Sequence, residues 1–279
     1  MILEKNSLNV VLIIGSGVDA LRTKSWDRTS FQDIVAINNA WQIRSDWSFL
    51  IHPEDFPKDK MPLNVATAKQ KIITATDYVP IQNHFGGFVY AGATMAFTAG
   101  YWALGALKPD VLAFIGCDMV YPTNGATHFY GHGTADPLRA DITLQSLEAK
   151  SVRLLNTALA ENCLCVNLSS IPDSRLKFPK MSIQQASSLN LQGHSDLVSE
   201  MSYEFDRQLV LTARRKEADL SYLVPSGKYW AEQKKFDSQA LSELDDIWLG
   251  SLLQSQAVGI VSHRRRPIAE NAQNPNVFG

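Results

Sequence analysis

The residue types best suited to chemistry are concentrated in the segment THFYGHG at positions 127–133. This segment places two imidazoles, His128 and His132, and the phenol of Tyr130 among glycines, which give the backbone unusual conformational freedom. Histidine titrates near neutral pH and is the commonest general base in enzymes. The segment begins nine residues after Asp118, where a predicted strand ends. We interpret it as a candidate catalytic loop; the alternative is a surface loop with incidental histidines.

Metal binding is the other chemistry that the two histidines suggest, because they are four residues apart. Gly131 argues against a helix that would present both imidazoles on one face. Two histidines and Asp118 also leave a zinc ion short of its usual four ligands, and no CxxC or HExxH motif accompanies them. We therefore predict no bound metal.

A short glycine-containing turn, Gly15, Ser16 and Gly17, follows the apolar run at the start of the chain. Backbone N–H groups in such a turn can approach a phosphate at a helix N-terminus. A dinucleotide-binding fingerprint would have a third glycine at position 20, where this chain has alanine. Asp19, in the first helical turn, would repel a phosphate there. We favour a nucleoside or sugar contact; the alternative is a tight strand–helix turn without a ligand.

Polar side chains also follow the second and third predicted strands. Asn38 and Asn39 offer adjacent carboxamides, which can donate and accept hydrogen bonds to a base, a ribose or a sugar. The alternative is a turn or a helix cap, which asparagine also favours. Glu54 and Asp55 are more typical of a solvated loop.

The first 170 residues alternate between predicted strands and helices, which would position these polar groups. Apolar, largely β-branched runs predict strands at 9–14, 33–38, 47–52, 77–80, 111–115 and 163–168. Small residues and leucine spacing predict helices at 91–107 and 144–159. The alternation predicts an α/β fold with a Rossmann-like, doubly wound, mostly parallel sheet. Ligands bind such sheets at the carboxyl ends of the strands.

A change of composition after residue 172 divides the chain. We predict a Rossmann-like nucleotide-binding domain at 1–178, then a linker and a helical C-terminal extension with a polar tail at 179–279. Serine and glutamine are frequent at 179–193, which we interpret as the linker. Helical patterns follow at 203–223 and 238–255, and the polar tail is 264–279.

Composition excludes several classes of protein. The 279 residues are 45% hydrophobic and carry a net charge of −2, so a disordered chain and a nucleic-acid-binding surface are both disfavoured. The longest apolar run has five residues, at 10–14, whereas about 20 are needed to span a bilayer. The N-terminus shows no signal-peptide pattern. Three cysteines, an odd number, favour a reduced cytoplasmic location.

In their order along the chain, these segments resemble the bacterial sialyltransferases of glycosyltransferase family 42. The family's G-x-G turn followed by Pro-Ser-Leu is similar to residues 15–21, and its Asn-Gln-Phe is similar to 38–40. Its Ser-Gly-Ile-Asp-Phe-Tyr resembles 115–121, with one residue inserted here. The family's His-Tyr-Ile-Gly-His-Ser resembles 128–133. The resemblance extends over residues 9–175.

The resemblance implies a metal-independent, inverting glycosyltransferase whose partners are a CMP-activated sugar donor and a glycan acceptor, with no further cofactor and with a homo-oligomer left open. It implies that His132 is the general base and that the Tyr121 hydroxyl donates a hydrogen bond to the departing phosphate of CMP. Tyr130 would take the place of a second phosphate-binding tyrosine. The residues expected to contact the nucleotide and donor are Gly15, Ser16, Gly17, Asn38, Asn39, Thr94, Asp118 and His128.

This chain departs from the family in the lid that covers the donor. Only nine residues, 122–130, separate Tyr121 from Gly131, and a shorter lid shields the donor less from water. One alternative is a magnesium-dependent pyrophosphokinase of the pterin diphosphokinase-like group, with Asp118, Glu54 and Asp55 as metal ligands. The other is a non-catalytic nucleotide-sugar-binding protein.

Overall fold

A computed structural model describes residues 7–63 and 69–253 of the chain. Its centre is a six-stranded sheet in which every neighbouring pair of strands is parallel. The strands are β1 (Val10–Ile14), β2 (Asp33–Ile37), β3 (Phe49–Ile51), β4 (Lys71–Ile73), β5 (Val111–Ile115) and β6 (Leu164–Asn167). Their order in the sheet is β4-β3-β2-β1-β5-β6. This confirms the predicted α/β, Rossmann-like architecture.

Strand β1 lies inside the sheet, where Leu12 is in register with Ile34 of β2 and Ala113 of β5. These residues are fully buried, because apolar runs of this kind pack against helices on both faces. The chain progresses from β1 outward to β4 and then returns to β5 on the other side of β1. The direction of winding therefore reverses between β1 and β5, which is where such sheets usually bind ligands.

Helices cover the sheet and continue beyond it. They are α1 (Ala75–His84), α2 (Phe88–Ala91), α3 (Met95–Leu107), α4 (Leu147–Ala160), α5 (Ile183–Ser188), α6 (Leu191–Tyr203), α7 (Arg207–Leu220) and α8 (Ser238–Ser251). Small residues bring α3 close to its neighbours: a Cβ on Gly100 would lie 2.8 Å from Leu154 Cδ2 of α4 and 3.1 Å from Phe114 Cζ of β5.

Several elements differ from the sequence prediction. The strand expected at 77–80 is wrong, because these residues belong to α1, which Thr74 and Asp77 begin with a capping box. The neighbouring strand is β4, a three-residue segment too short to show a period. Residues 179–193, expected to be a linker, contain α5 and the start of α6. The predicted tail at 264–279 lies outside the described residues.

The C-terminal helices α7 and α8 are joined to α4 by buried charges. Arg153 Nε and Nη2 of α4 donate to the two carboxylate oxygens of Glu217 in α7, at 2.7 and 2.9 Å. Trp248 Nε1 of α8 donates to the same carboxylate at 2.8 Å. A second buried pair joins Lys150 Nζ of α4 to Asp245 Oδ1 of α8 at 2.7 Å. Helices α7 and α8 therefore share polar contacts with α4, which covers the sheet.

All three cysteines are free and buried, and burial raises the pKa of each thiol. They are Cys117, Cys163 and Cys165. Among the helices of the described ranges, none combines the length and the apolar character needed to cross a membrane.

Candidate functional site

The turns that follow β1 and β5 meet directly at the carboxyl edge, the side of the sheet where the strands end. Gly15 N donates to Ile115 O at 2.8 Å, and Gly17 N donates to Gly116 O at 2.9 Å. A Cβ on Gly15 would lie 2.3 Å from Gly116 O, so only glycine permits this approach. These two N–H groups are therefore already used within the protein, and the ligand contacts predicted for this turn stay a prediction.

Asp19 links the turn after β1 to the loop after β6. Its two carboxylate oxygens accept from the N–H and Oγ of Ser170, both at 2.8 Å, and Arg22 Nη1 lies 3.2 Å away. Burial opposes ionisation, but these hydrogen bonds and the Arg22 charge leave the pKa of Asp19 below its ordinary value. A negative charge is thus fixed beside the turn, where it disfavours a phosphate.

Asn38 and Asn39 begin a 3₁₀ helix, Asn38–Gln42, directly after β2. Asn38 has a left-handed backbone with φ of +52°, a conformation that asparagine tolerates better than most residues. The Oδ1 atoms of both side chains are buried and have no hydrogen-bond partner among the described residues. Two acceptors are therefore left unused on one side of β1.

A third unused acceptor lies on the other side of β1, after β5. The side chain of Asp118 is 5% exposed; its Oδ1 accepts from Asn167 Nδ2 at 2.9 Å, while its buried Oδ2 has no partner in the part of the chain described. Strands β2 and β5 flank β1 and are about 10 Å apart, given a spacing of ~4.8 Å between neighbours. An unsatisfied buried polar atom costs about 1–3 kcal/mol. A ligand rich in N–H and O–H donors would remove this cost.

The segment carrying the two histidines rests on the turn after β1. Phe129 N donates to Ser16 O at 2.9 Å. His128 and Gly131 exchange two backbone hydrogen bonds, of 2.9 and 3.0 Å, which close a tight turn. The predicted loop conformation is confirmed, and it brings His128 to the same edge as the unused acceptors.

His128 is buried between two tyrosines. Its ring centroid is 5.7 Å from that of Tyr121 and 5.1 Å from that of Tyr130, while Thr127 Oγ1 lies 2.8 Å from Nδ1. Burial lowers the pKa of His128 and raises that of Tyr121 well above its ordinary value. Both side chains are therefore neutral near pH 7. Tyr130 is 44% exposed and forms the outer face of this stack.

The other predicted site residues have different surroundings. His132 is exposed, and its imidazole makes no hydrogen bond to a residue that the structure describes. Thr94 is buried and caps α3, accepting from Phe97 N at 3.4 Å. Because α3 leads into β5, its first residue lies at the carboxyl edge. The roles expected for His132 and Thr94 stay predictions.

Sequence reasoning missed a polar cluster, Arg139, Asp141 and Tyr229, beside the start of α3. Asp141 Oδ2 accepts from Tyr229 Oη at 2.6 Å and from Arg139 Nη2 at 2.9 Å. Arg139 Nη2 also donates to Ala93 O at 3.1 Å. Asp141 and Tyr229 are 88 positions apart in the sequence, so no local pattern could reveal the contact. The cluster attaches the loop after β5 to the backbone just before α3 and to the segment between α7 and α8.

Tyr229→Phe should loosen this loop. It removes a hydroxyl that donates to the Asp141 carboxylate, and a hydrogen bond to a charged group contributes about 1.5–3 kcal/mol. We expect a loss of that size in urea unfolding and faster amide exchange at 136–143. Tyr203→Phe, at a side chain that is 72% exposed, is the control and should change neither. Identical behaviour of the two variants would contradict the role of the cluster.

A metal site does not emerge from the described residues, where no three His, Cys, Asp or Glu side chains are grouped to hold an ion. Glu54 and Asp55 are exposed after β3 and do not form such a group with Asp118. Two clefts, of about 370 and 520 Å³, are lined by other residues, around Arg153 and around Val10 respectively. The candidate site is therefore defined by its polar atoms at the strand ends.

Comparison of the chain with family models, with curated proteins and with solved structures finds no match in any of the three. The likeness to glycosyltransferase family 42 therefore stays a prediction drawn from the residues.

Proposed function

We propose that the protein binds a CMP-activated sugar at the carboxyl edge and transfers the sugar to a glycan hydroxyl without a metal ion. The observation that carries this proposal is the set of three buried, unused acceptors on the two sides of β1: Asn38 Oδ1, Asn39 Oδ1 and Asp118 Oδ2. A cytidine nucleotide offers matching donors in the exocyclic amine of its base and in its ribose hydroxyls. A ligand that meets all three acceptors must span about 10 Å.

Charge favours one orientation of the nucleotide. The Asp19 carboxylate opposes a phosphate beside the turn after β1, whereas the phenols of Tyr121 and Tyr130 offer O–H donors next to the His128 ring. The raised pKa of Tyr121 keeps its proton in place. In the proposed complex these phenols donate to the phosphate as it takes up negative charge in the transition state.

The reaction is a single displacement. The acceptor oxygen forms a bond to the anomeric carbon while the bond from that carbon to the phosphate oxygen breaks, and CMP leaves with the electron pair. The acceptor proton passes to an imidazole of the 127–133 segment, and the resemblance assigns this role to His132.

Calorimetry with CMP, UMP and ATP, each with and without EDTA, tests the proposal. We expect CMP to bind, EDTA to have no effect, and Asp118→Asn to weaken CMP binding at least tenfold, which corresponds to about 1.4 kcal/mol. The amide keeps the oxygen that accepts from Asn167 but replaces the unused acceptor with a donor. Glu54→Gln is the matched control, because Glu54 is an exposed carboxylate in the loop after β3.

The same panel separates the alternatives. Binding of ATP that requires magnesium and disappears in EDTA would replace the transferase with a pyrophosphokinase. Tight CMP binding without release of CMP from any CMP-sugar would identify a non-catalytic binding protein. If none of the three nucleotides binds, the proposal is overturned.

A further inference from the structure

The two histidines of the 127–133 segment are held very differently. His128 is 7% exposed and packs against Tyr121 and Tyr130, whereas His132 is exposed and has no hydrogen-bond partner among the residues described. A general base must be fixed within reach of the proton that it takes. We propose, as an extension of the proposed function, that Nε2 of His128 is the atom that accepts the acceptor proton and that Thr127 positions its ring.

Thr127 determines which nitrogen of His128 carries the hydrogen. Its Oγ1 lies 3.1 Å from Gly133 N, 2.8 Å from His128 Nδ1 and 3.5 Å from Gly133 O. Gly133 N can only donate to Oγ1. If Oγ1 donates to Gly133 O, it accepts from Nδ1–H, and all three contacts are hydrogen bonds. If Oγ1 instead donates its only hydrogen to Nδ1, no hydrogen is left for the contact with Gly133 O. The arrangement therefore favours the Nδ1–H tautomer.

The Nδ1–H tautomer leaves a lone pair on Nε2. This atom makes no hydrogen bond within the described ranges. In the proposed complex it accepts a hydrogen bond from the acceptor hydroxyl, although most of the ring is covered. The lowered pKa of His128, caused by burial, keeps the ring in the neutral form that a base needs near pH 7.

Gly133 explains how the backbone closes over the Nδ1 side of this ring. A Cβ at Gly133 would lie 2.6 Å from His128 Nδ1, 2.8 Å from Cε1 and 2.9 Å from Tyr130 Oη. Any side chain there would displace the imidazole or the phenol. The glycine is thus required by close approach rather than by its backbone angles, and it keeps the ring in one orientation.

The proton and the sugar are transferred in a single step. The acceptor hydroxyl gives its proton to His128 Nε2 and its oxygen to the anomeric carbon, while CMP departs with the electrons of the broken bond. The resulting imidazolium returns its proton to solvent after the products leave. Thr127 touches no reacting atom, so it is a positioning residue.

Nitrogen-15 NMR of the histidine rings tests the tautomer independently of any activity. His128→Asn identifies the signal among the six histidines. We expect that signal to report a single Nδ1–H tautomer in the wild type and in Thr127→Ser, and a mixture in Thr127→Val, which keeps the shape but lacks the hydroxyl. A Nε2–H tautomer in the wild type, or no change in Thr127→Val, would overturn the positioning role.

Release of CMP from CMP-sialic acid, with a panel of galactosides as acceptors, tests the catalytic role. We expect His128→Asn to lower kcat at least 100-fold, a much larger factor than the accompanying change in CMP affinity, since a general base contributes about 10²–10⁴-fold. Thr127→Val should lower kcat by less and Thr127→Ser should restore it. His84→Asn, at the exposed end of α1, is the neutral control.

His132→Asn is the competing variant. A larger loss of kcat in His132→Asn than in His128→Asn would overturn the assignment and return the base to His132. If wild-type protein binds no CMP, the proposed function fails and the catalytic role of His128 fails with it, while the NMR experiment still decides the tautomer. The two failures are therefore distinguishable.

Discussion

Glu217→Gln is expected to lower the free energy of unfolding by about 3–5 kcal/mol, the usual effect of removing one partner of a buried ion pair. The Glu217 carboxylate accepts from Arg153 through both oxygens and from Trp248 Nε1. The amide keeps the size of the side chain but leaves the fully buried Arg153 without a counter-charge. Urea unfolding, followed by tryptophan fluorescence and circular dichroism, measures the change.

Glu243→Gln is the matched control, because Glu243 joins the same two helices through Lys216 at 2.6 Å on the protein surface. An exposed pair in water contributes little, so this variant should leave the unfolding midpoint in place. Equal midpoints for the two variants would show that burial of the Glu217 pair adds no stability.

The free energy of unfolding at acid pH should also depend on the Glu217 carboxylate. Burial alone would raise the pKa of Glu217, but the charge of Arg153 and its hydrogen bonds leave it below the ordinary value of 4.5. A depressed native pKa means that the unfolded state binds the proton more tightly. The contribution of Glu217 is therefore complete above pH 4.5 and is lost as the pH falls through the native pKa. Glu217→Gln should make unfolding less sensitive to acid in that range.

Gly15→Ala is the second substitution for which we expect a large loss of stability. The new Cβ would lie 2.3 Å from the carbonyl oxygen of Gly116 and 2.6 Å from Cys117 Sγ, so the ends of β1 and β5 must separate. Overpacking of a core costs about 1–3 kcal/mol, and the upper end applies because the obstructing atom is backbone. The same separation moves Asp118, so we expect lower stability together with weaker CMP binding.

Gly250→Ala is the matched control, because it also replaces a glycine with alanine. Gly250 lies in α8, and the nearest atom to an added Cβ is Leu209 Cδ1 at an ordinary 3.7 Å. Alanine is favoured over glycine within a helix, so this variant should gain about 0.5–1 kcal/mol. If Gly15→Ala were as stable as the wild type, the close contact between the two turns would not be required by the fold.

The strands at the centre of the sheet were predictable because burial on both faces produces uninterrupted apolar runs, as in β1 and β5. The edge strand β4 was not predictable, because its three residues include an exposed lysine and form no apolar run. The predicted strand at 77–80 fell inside α1, whose start depends on the Thr74 cap rather than on the apolar pattern.

The candidate site was predictable only as a set of strand-end residues. Residue types placed Asn38, Asn39 and Asp118 at one edge, but the unused state of their oxygens depends on neighbours that fold around them. The sequence presents His128 and His132 as equivalent imidazoles, and only tertiary contacts distinguish the buried ring from the exposed one. The partner of Asp141, Tyr229, lies in a part of the chain without a recognisable motif.

The buried charges on α4 have a consequence for synthesis on the ribosome. Arg153 and Lys150 emerge before their partners, which follow 64 and 95 residues later as Glu217 and Asp245. At about 5–20 residues per second, the second interval lasts about 5–20 seconds. During that time the cationic face of α4 must stay hydrated, since an unpaired charge cannot be buried. The layer of helices beside α4 is therefore completed only after α8, which carries Asp245, leaves the exit tunnel.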